Sequence, residues 1–209
     1  MGNMIKNILF DFDGVIIDSM PTKTEGFRKI FSDFEPEAVQ KILDYNNLNG
    51  GLSRYVKIRY FFEEILSSSI EENEVLRYAD DFSKIVKKEL TNKELLIAEV
   101  VDFLQRNHKN YRLHIVSGAD EKELQYLCKE LGVDQYFLSI HGSPTHKNEL
   151  VKQLLEKHKY DLSETILIGD SINDHEAAEV NKIGFYGYNN PDLKAVTANY
   201  LEKINDIFH

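Results

Sequence analysis

The chain has 209 residues, 42% of them hydrophobic, enough for one or two domains with an ordinary buried core. Acidic residues outnumber basic ones 35 to 25, a formal net charge of −10. That argues against a nucleic-acid or anionic-membrane partner, because either needs a broad basic face. A small phosphorylated partner is not excluded, since a local cluster of cations can hold it against the global charge.

The first predicted strand runs from Ile5 to Phe10 and ends on Asp11-Phe12-Asp13-Gly14. A long helical stretch follows. Phe27, Ile30, Phe31 and Phe34 are spaced i, i+3, i+4, i+7, as are Ile58, Phe61, Phe62 and Ile65, then Val75, Tyr78, Ala79 and Phe82. No strand is expected between about Met20 and Leu90, which leaves room for a small bundle of four helices. From about Lys93 the pattern alternates. Ile97 to Leu104 is a helix, Arg112 to Val116 a strand ending at Ser117-Gly118, and Asp120 to Leu131 a helix stopped by Gly132. Then come a short strand at Phe137–Ile140, a helix at His146–His158, a buried strand at Thr165–Ile168 ending on Gly169-Asp170, a helix at Ile172–Val180 and a last strand at Ile183–Tyr186. Strands alternating with helices imply a parallel sheet covered on both faces, with ligands bound beyond the carboxyl ends of the strands.

Cys128 is the only cysteine, so no internal disulfide forms. With Leu124, Leu127 and Leu131 it falls on one apolar helix face, where it packs as a core residue. No run approaches the ~18 apolar residues of a membrane span. The N-terminus has no basic segment followed by a long apolar one, so no signal peptide is read and a cytoplasmic location is expected. Met1-Gly2-Asn3 reads as a short leader before Met4, and Lys6 stands where a myristoylation motif requires Ser or Thr.

The chemistry-bearing residues gather at strand ends. Asp11 and Asp13, two residues apart, raise each other's pKa and resist desolvation. Such a pair persists where a cation sits between its members or where it reacts. Taken singly, each remaining feature has an ordinary explanation. Ser117-Gly118 precedes a helix that Ser117 or Asp120 can cap. Asp170 to Asp174 can be a capping box with acidic residues at a helix N-terminus. Lys147 can be solvated.

Together the order D-x-D-G, Ser, Lys and G-D-x-x-x-D resembles the haloacid dehalogenase superfamily, in the branch of phosphoglycolate phosphatase and β-phosphoglucomutase. The resemblance implies an α/β fold, a Rossmann-like doubly wound parallel sheet (residues 1–18 and 93–209) with a small all-helical cap (residues 19–92) inserted after the first strand. It implies phosphoryl transfer: Asp11 as nucleophile forming an aspartyl-phosphate, and Asp13 as general acid, then base. Mg²⁺ would be held by Asp11, the Asp13 backbone carbonyl, Asp170 and Asp174. Ser117, Gly118 and Lys147 would cradle the phosphoryl group. Gly142-Ser143-Pro144 also resembles the family's loop before its lysine. Asn173 either orients Asp170 or serves helix entry.

In the expected cap, Gly50-Gly51-Leu52-Ser53-Arg54 resembles the family's substrate loop, which makes Arg54 and Ser53 candidate substrate contacts, although Ser53 also reads as an N-cap. Lys57 could assist. Lys23 stands where the mutase branch carries histidine, and Gly50 where it carries lysine. Both departures favour a phosphatase over a phosphomutase. Lys23 also invites comparison with phosphonate-cleaving relatives, but those and true dehalogenases lack the Asp13 carboxylate. A non-catalytic binding module would have lost at least one of Asp11, Asp13, Ser117, Lys147, Asp170 and Asp174. His141 and His146 flank the lysine loop and read as structural or solvated. The expected partner is therefore a small phosphorylated metabolite, with a sugar phosphate the leading guess, and the chain is expected to be a monomer or weak homodimer.

Overall fold

The computed structural model describes residues 4–208, so the leader reading of Met1-Gly2-Asn3 lies outside the described residues. A six-stranded, all-parallel sheet is built from β1 (Asn7–Phe10), β2 (Arg112–Asp120), β3 (Ser139–Ser143), β4 (Thr165–Gly169), β5 (Gly184–Tyr188) and β6 (Tyr200–Leu201), in the order β3-β2-β1-β4-β5-β6. Every residue of β1 is buried, as a central parallel strand covered on both faces must be. Side chains alternate. Ile8 and Phe10 join one apolar cluster with Ile166 and Ile168, while Leu9 and Leu167 join the other. The first face is covered by α5 (Ala98–Asn107) and α6 (Glu121–Leu131), the second by α7 (Lys147–His158) and α8 (Ile172–Val180).

Between β1 and β2 lies an all-helical insert: α1 (Met20–Ile30), α2 (Pro36–Leu48), α3 (Arg54–Tyr60) running into a π-helical turn (Phe61–Ile65), and α4 (Glu72–Leu90). Its core is aromatic. Phe31 stacks on Phe61 at 3.9 Å between centroids, and Phe27 lies 4.6 Å from Phe82. The two crossings into the insert run side by side, with Asp18 N–H donating to the Leu95 carbonyl at 2.8 Å and Ile97 N–H to Ile16 at 3.0 Å. No described helix is long and apolar enough to cross a membrane.

Element boundaries depart from expectation in instructive places. α1 stops at Ile30, yet Phe31 and Phe34 stay packed in the insert from the following turn. β2 continues past Ser117-Gly118 to Asp120, because its pairing with β3 shifts register after Val116 and resumes at Asp120–Ser143. β3 begins at Ser139 rather than Phe137, since Asp134–Tyr136 forms a 3₁₀ turn first. β5 runs to Tyr188, and the two-residue edge strand β6 was not foreseen. Cys128 is fully buried in α6, and burial pushes its thiol well above the ordinary range.

Candidate active site

The register of the sheet decides where the carboxylates meet. Phe10 pairs with Ile115 on one side and Ile168 on the other, so Asp11 emerges between the ends of β2 and β4. Its N–H donates to the Ile168 carbonyl at 2.9 Å. Here the strand order reverses, since the chain steps from β1 outward to β2 and β3 and then crosses back to β4 on the other side of β1, and open α/β sheets bind ligands at such a point. The chain then turns tightly at Gly14, whose φ is +74°. A Cβ there would lie 2.0 Å from Asp170 Oδ2, so only glycine lets this turn press against the β4 end.

One carboxylate oxygen from each of Asp11, Asp170 and Asp174 lies within 4.8 Å of the others. Asp174, fully buried in the first turn of α8, accepts from Ser171 N–H at 3.1 Å and Ser171 Oγ at 2.6 Å. The capping box expected at this helix start thus exists, and the same carboxylate also faces the cluster. Lys147, at the start of α7, donates to Asp174, and its Nζ is 3.1 Å from Asp11 Oδ1. That approach is not aligned as a hydrogen bond, and Asp11 Oδ1 remains a buried acceptor with no donor. Burial pushes the Asp11 carboxyl up to about 7, with Lys147 opposing and Asp174 and Asp13 adding to the rise. Burial and the neighbouring carboxylates Asp11 and Asp174 likewise hold Asp170 well above the ordinary range. Burial works against the Lys147 charge, but Asp11 and Asp174 hold its pKa above the usual lysine value. Crowded, dehydrated oxygen donors with one orphaned acceptor suit a hard divalent cation.

Asp13 is in a different setting. Ser19 Oγ donates to Oδ1 at 2.5 Å, and Lys23 pairs with Oδ2. Burial acts to raise its pKa, yet Lys23 and Ser19 hold the carboxyl below the usual range. Its side chain is not part of the three-carboxylate cluster.

The insert meets the core directly above these groups. Gly118 packs so closely on the insert that a Cβ would lie 2.2 Å from the Gly51 carbonyl oxygen. Two small cavities flank this contact. One, of about 20 Å³, is walled by Asp13, Lys23, Phe27, Arg54, Lys57 and Gly118 among others. The second, of about 30 Å³, includes Ser53, Ser143, Lys147 and Asn173. Each holds only a water or two. Ser143 Oγ and Asn173 Oδ1 are buried without hydrogen-bond partners, so the second cavity is lined by unused polar atoms. Ser117 is buried, and its Oγ accepts from Ala119 N–H at 3.2 Å.

Ser53 does cap α3, accepting from Val56 N–H at 3.4 Å. Arg54 is buried, but its guanidinium is taken by a bidentate pair with Glu123 of α6 and a bond to Ser83 of α4, and it lies 4.8 Å over the Phe82 ring. His146 caps α7 and also lines the second cavity, while His141 bonds Ser139 on β3. Sequence reasoning did not single out Asn46 or Glu123 and left Lys57 as a possible assistant; the buried Lys57 ammonium donates to Asn46 Oδ1 at 2.8 Å. A polar residue on an otherwise apolar helix face, such as Asn46 beside Ile42 and Leu43, was the available signal for the first.

The model of haloacid dehalogenase-like hydrolases matches residues 8–187. The chain belongs to this family. A phosphoglycolate phosphatase of Photobacterium profundum is 27% identical over 213 aligned positions, covering 90% of each chain. One from Vibrio parahaemolyticus is 27% identical over 96% of each. Among solved structures, β-phosphoglucomutase from Clostridium difficile superposes with a TM-score of 0.80 at 17% identity, covering 98% of this chain and 93% of that one. A predicted phosphatase from Clostridium acetobutylicum gives 0.78 at 20%, covering 99% and 97%. These likenesses show the fold, and the family membership with its phosphatase relatives makes the chain a phosphoric monoester hydrolase.

Proposed function

We propose that the chain is a Mg²⁺-dependent phosphatase for a small phosphorylated metabolite, acting through an aspartyl-phosphate on Asp11. The observation that carries this reading is the buried carboxylate cluster Asp11, Asp170 and Asp174, set against Lys147 at the switch point of the sheet. The three carboxylates, with the Asp13 backbone carbonyl, would hold Mg²⁺, which supplies positive charge to offset repulsion between an anionic ester and an anionic nucleophile.

An Asp11 oxygen attacks phosphorus, and the bond from phosphorus to the ester oxygen breaks. Asp13 gives the leaving oxygen its proton, then takes one from the water that attacks the aspartyl-phosphate, releasing inorganic phosphate and restoring Asp11. Lys23 and Ser19 favour the ionised form of Asp13. This suits it to accept the water's proton and opposes its holding the proton it gives to the leaving oxygen, so that proton is the one taken from water in the preceding turnover. Ser117, the Gly118 backbone and Lys147 receive the phosphoryl oxygens.

Residues 19–92 act in this proposal as a cap on a core of residues 1–18 and 93–209, and Ser53, Arg54 and Lys23 belong to its inner face. Cavities of about 20 and 30 Å³ are too small for an ester, so its entry requires the cap to lift. A screen of phosphate release over small phosphate esters with Mg²⁺, run beside Asp11→Asn, tests the proposal. Release by the native protein and none by the variant is expected. Equal release by both would refute it.

A further inference from the structure

The ladder between β4 and β5 ends where Gly169 faces Gly187. One residue on, Asp170 has left the sheet, and its carbonyl accepts from the Asn190 side-chain amide at 2.7 Å. The oxygen of the same amide accepts from Asp192 N–H at 3.2 Å, capping the 3₁₀ turn Pro191–Ala195. Both ends of the amide are used, which fixes its orientation. The preceding residue serves the other side of the site. Asn189 Nδ2 donates to the Gly14 carbonyl at 2.9 Å, across 175 residues of chain. Adjacent side chains of an extended chain point to opposite faces. Asn189 breaks that alternation with a left-handed φ of +55°, a conformation asparagine tolerates better than most residues with a side chain. Two successive asparagines thus reach two loops of the site from one turn. That turn is anchored, since Leu193 is buried in the apolar cluster that holds Leu9 and Leu167.

The two carbonyls belong to residues that press on each other. A Cβ on Gly14 would lie 2.0 Å from Asp170 Oδ2. The Asp170 carboxylate is repelled by Asp11 and Asp174. Lys147 pairs with those two, whereas no described cation lies within 4.0 Å of Asp170. The backbone must therefore hold Asp170 in place. We infer that Asn189 and Asn190 are positioning residues of this phosphatase, a clamp that keeps Asp170 against the Gly14 turn and so at the distance from Asp11 and Asp174 at which three carboxylates share one cation. The inference rests on the Mg²⁺-dependent reading above. Neither asparagine is a metal ligand in it, and both act through main-chain carbonyls.

Asn189→Gly and Asn190→Ser test the clamp. Glycine keeps the left-handed turn and removes only the donor. Serine keeps an acceptor for Asp192 N–H but is too short to reach the Asp170 carbonyl. Mg²⁺ binding to the metal-stripped proteins is measured by titration calorimetry, which does not depend on turnover. Release of phosphate from p-nitrophenyl phosphate is followed as Mg²⁺ is raised. Groups that hold a ligating residue carry about 10- to 100-fold in metal affinity, so Asn190→Ser should bind Mg²⁺ weaker by that factor. Asn189→Gly, one residue farther from the ligand, should bind at least about threefold more weakly. Excess Mg²⁺ should restore kcat, with KM for the ester within about threefold of native. Both bonds secure one contact, so the double variant should lose little more than Asn190→Ser alone. Without Mg²⁺ each single variant should melt within about 5 °C of the native chain. Mg²⁺ affinities within about threefold of native, a loss of kcat that Mg²⁺ does not restore, or single losses that multiply in the double variant would overturn the clamp and leave the Mg²⁺ reading standing. A native protein that binds no Mg²⁺ would overturn both. Should Asn190→Ser fail to fold, Asn189→Gly carries the same comparison.

Discussion

Arg54 offers the clearest separation of structure from substrate binding. Its guanidinium and the Glu123 carboxylate are only 5% and 6% exposed, and they join helices 69 residues apart, one in the insert and one in the core. Burial acts to raise the Glu123 pKa, but Arg54 holds it below the ordinary range. Arg54→Met keeps much of the packing on Phe82 and leaves Glu123 buried and unpaired. Removing one member of a buried pair costs about 3–5 kcal/mol, and each kcal/mol lowers the melting temperature of a chain this size by about 2–4 °C. A fall of about 10 °C is expected. Lifting of the insert would rehydrate Glu123, so the free energy of insert closure sets an upper limit, and increased proteolysis within residues 19–92 should accompany the fall. The double variant Arg54→Met/Glu123→Leu removes both charges and should recover to within about 1 kcal/mol of native. Scanning calorimetry of the four-member cycle reads the coupling. A single variant with native stability but large, substrate-dependent loss of kcat/KM would refute the reasoning and make Arg54 a substrate contact.

Gly118→Ala places a methyl group 2.2 Å from the Gly51 carbonyl oxygen, a backbone atom that cannot rotate aside. The insert must then stand off, and kcat/KM should fall at least about 100-fold while the core melts within a few degrees of native. A chelator should abolish phosphate release, and Mg²⁺ should restore it. Because binding to the native state alone stabilises by mass action, Mg²⁺ should also raise the melting temperature of the native chain but not of Asp170→Asn. His114 bonds Ser139 Oγ at 2.7 Å and Tyr160 OH at 2.9 Å. Burial, reinforced by His158, pushes its pKa down to about 3. A depressed folded-state pKa gives stability that is full above the unfolded value of about 6.5 and drains away as pH falls toward 3. Between pH 6.5 and 4.5 the native chain should lose about 2–3 kcal/mol more in denaturant titrations than His114→Gln, and parallel losses would disprove this.

Local pattern carried most of the fold. The apolar run Ile8-Leu9-Phe10 and the polar residues that end each long strand place Asp11, Ser117 and Asp170 together before any contact is known. Periodicity reports which face of an element is buried. It is silent on what a charged residue meets across an insertion. Arg54 and Glu123, or Lys57 and Asn46, become partners only through the way the insert settles on the core and folds on itself. Ser53 shows the converse, since its capping role needs only the following turn and was legible. The two-residue β6 has too few side chains to show any period, and the extension of β2 depends on a register shift set by β3.

The two aspartates that end β1 are neighbours in sequence and opposites in environment. Asp11 sits among Asp170 and Asp174, where burial and like charge raise its pKa to about 7 and leave one oxygen without a donor. Asp13 is neutralised from the insert by Lys23 and bonded by Ser19. Environments that drive the pKa values of paired carboxylates apart mark a division of labour. On the proposed mechanism the cation belongs on the Asp11 side, where three carboxylates cluster, and not on the Asp13 side, whose charge Lys23 answers. The core contributes the carboxylates and Lys147, and the insert adds Lys23, Arg54 and Lys57. In a chain of net charge −10, the insert thus brings Lys23 onto Asp13 and Arg54 onto Glu123 where it lies on the core.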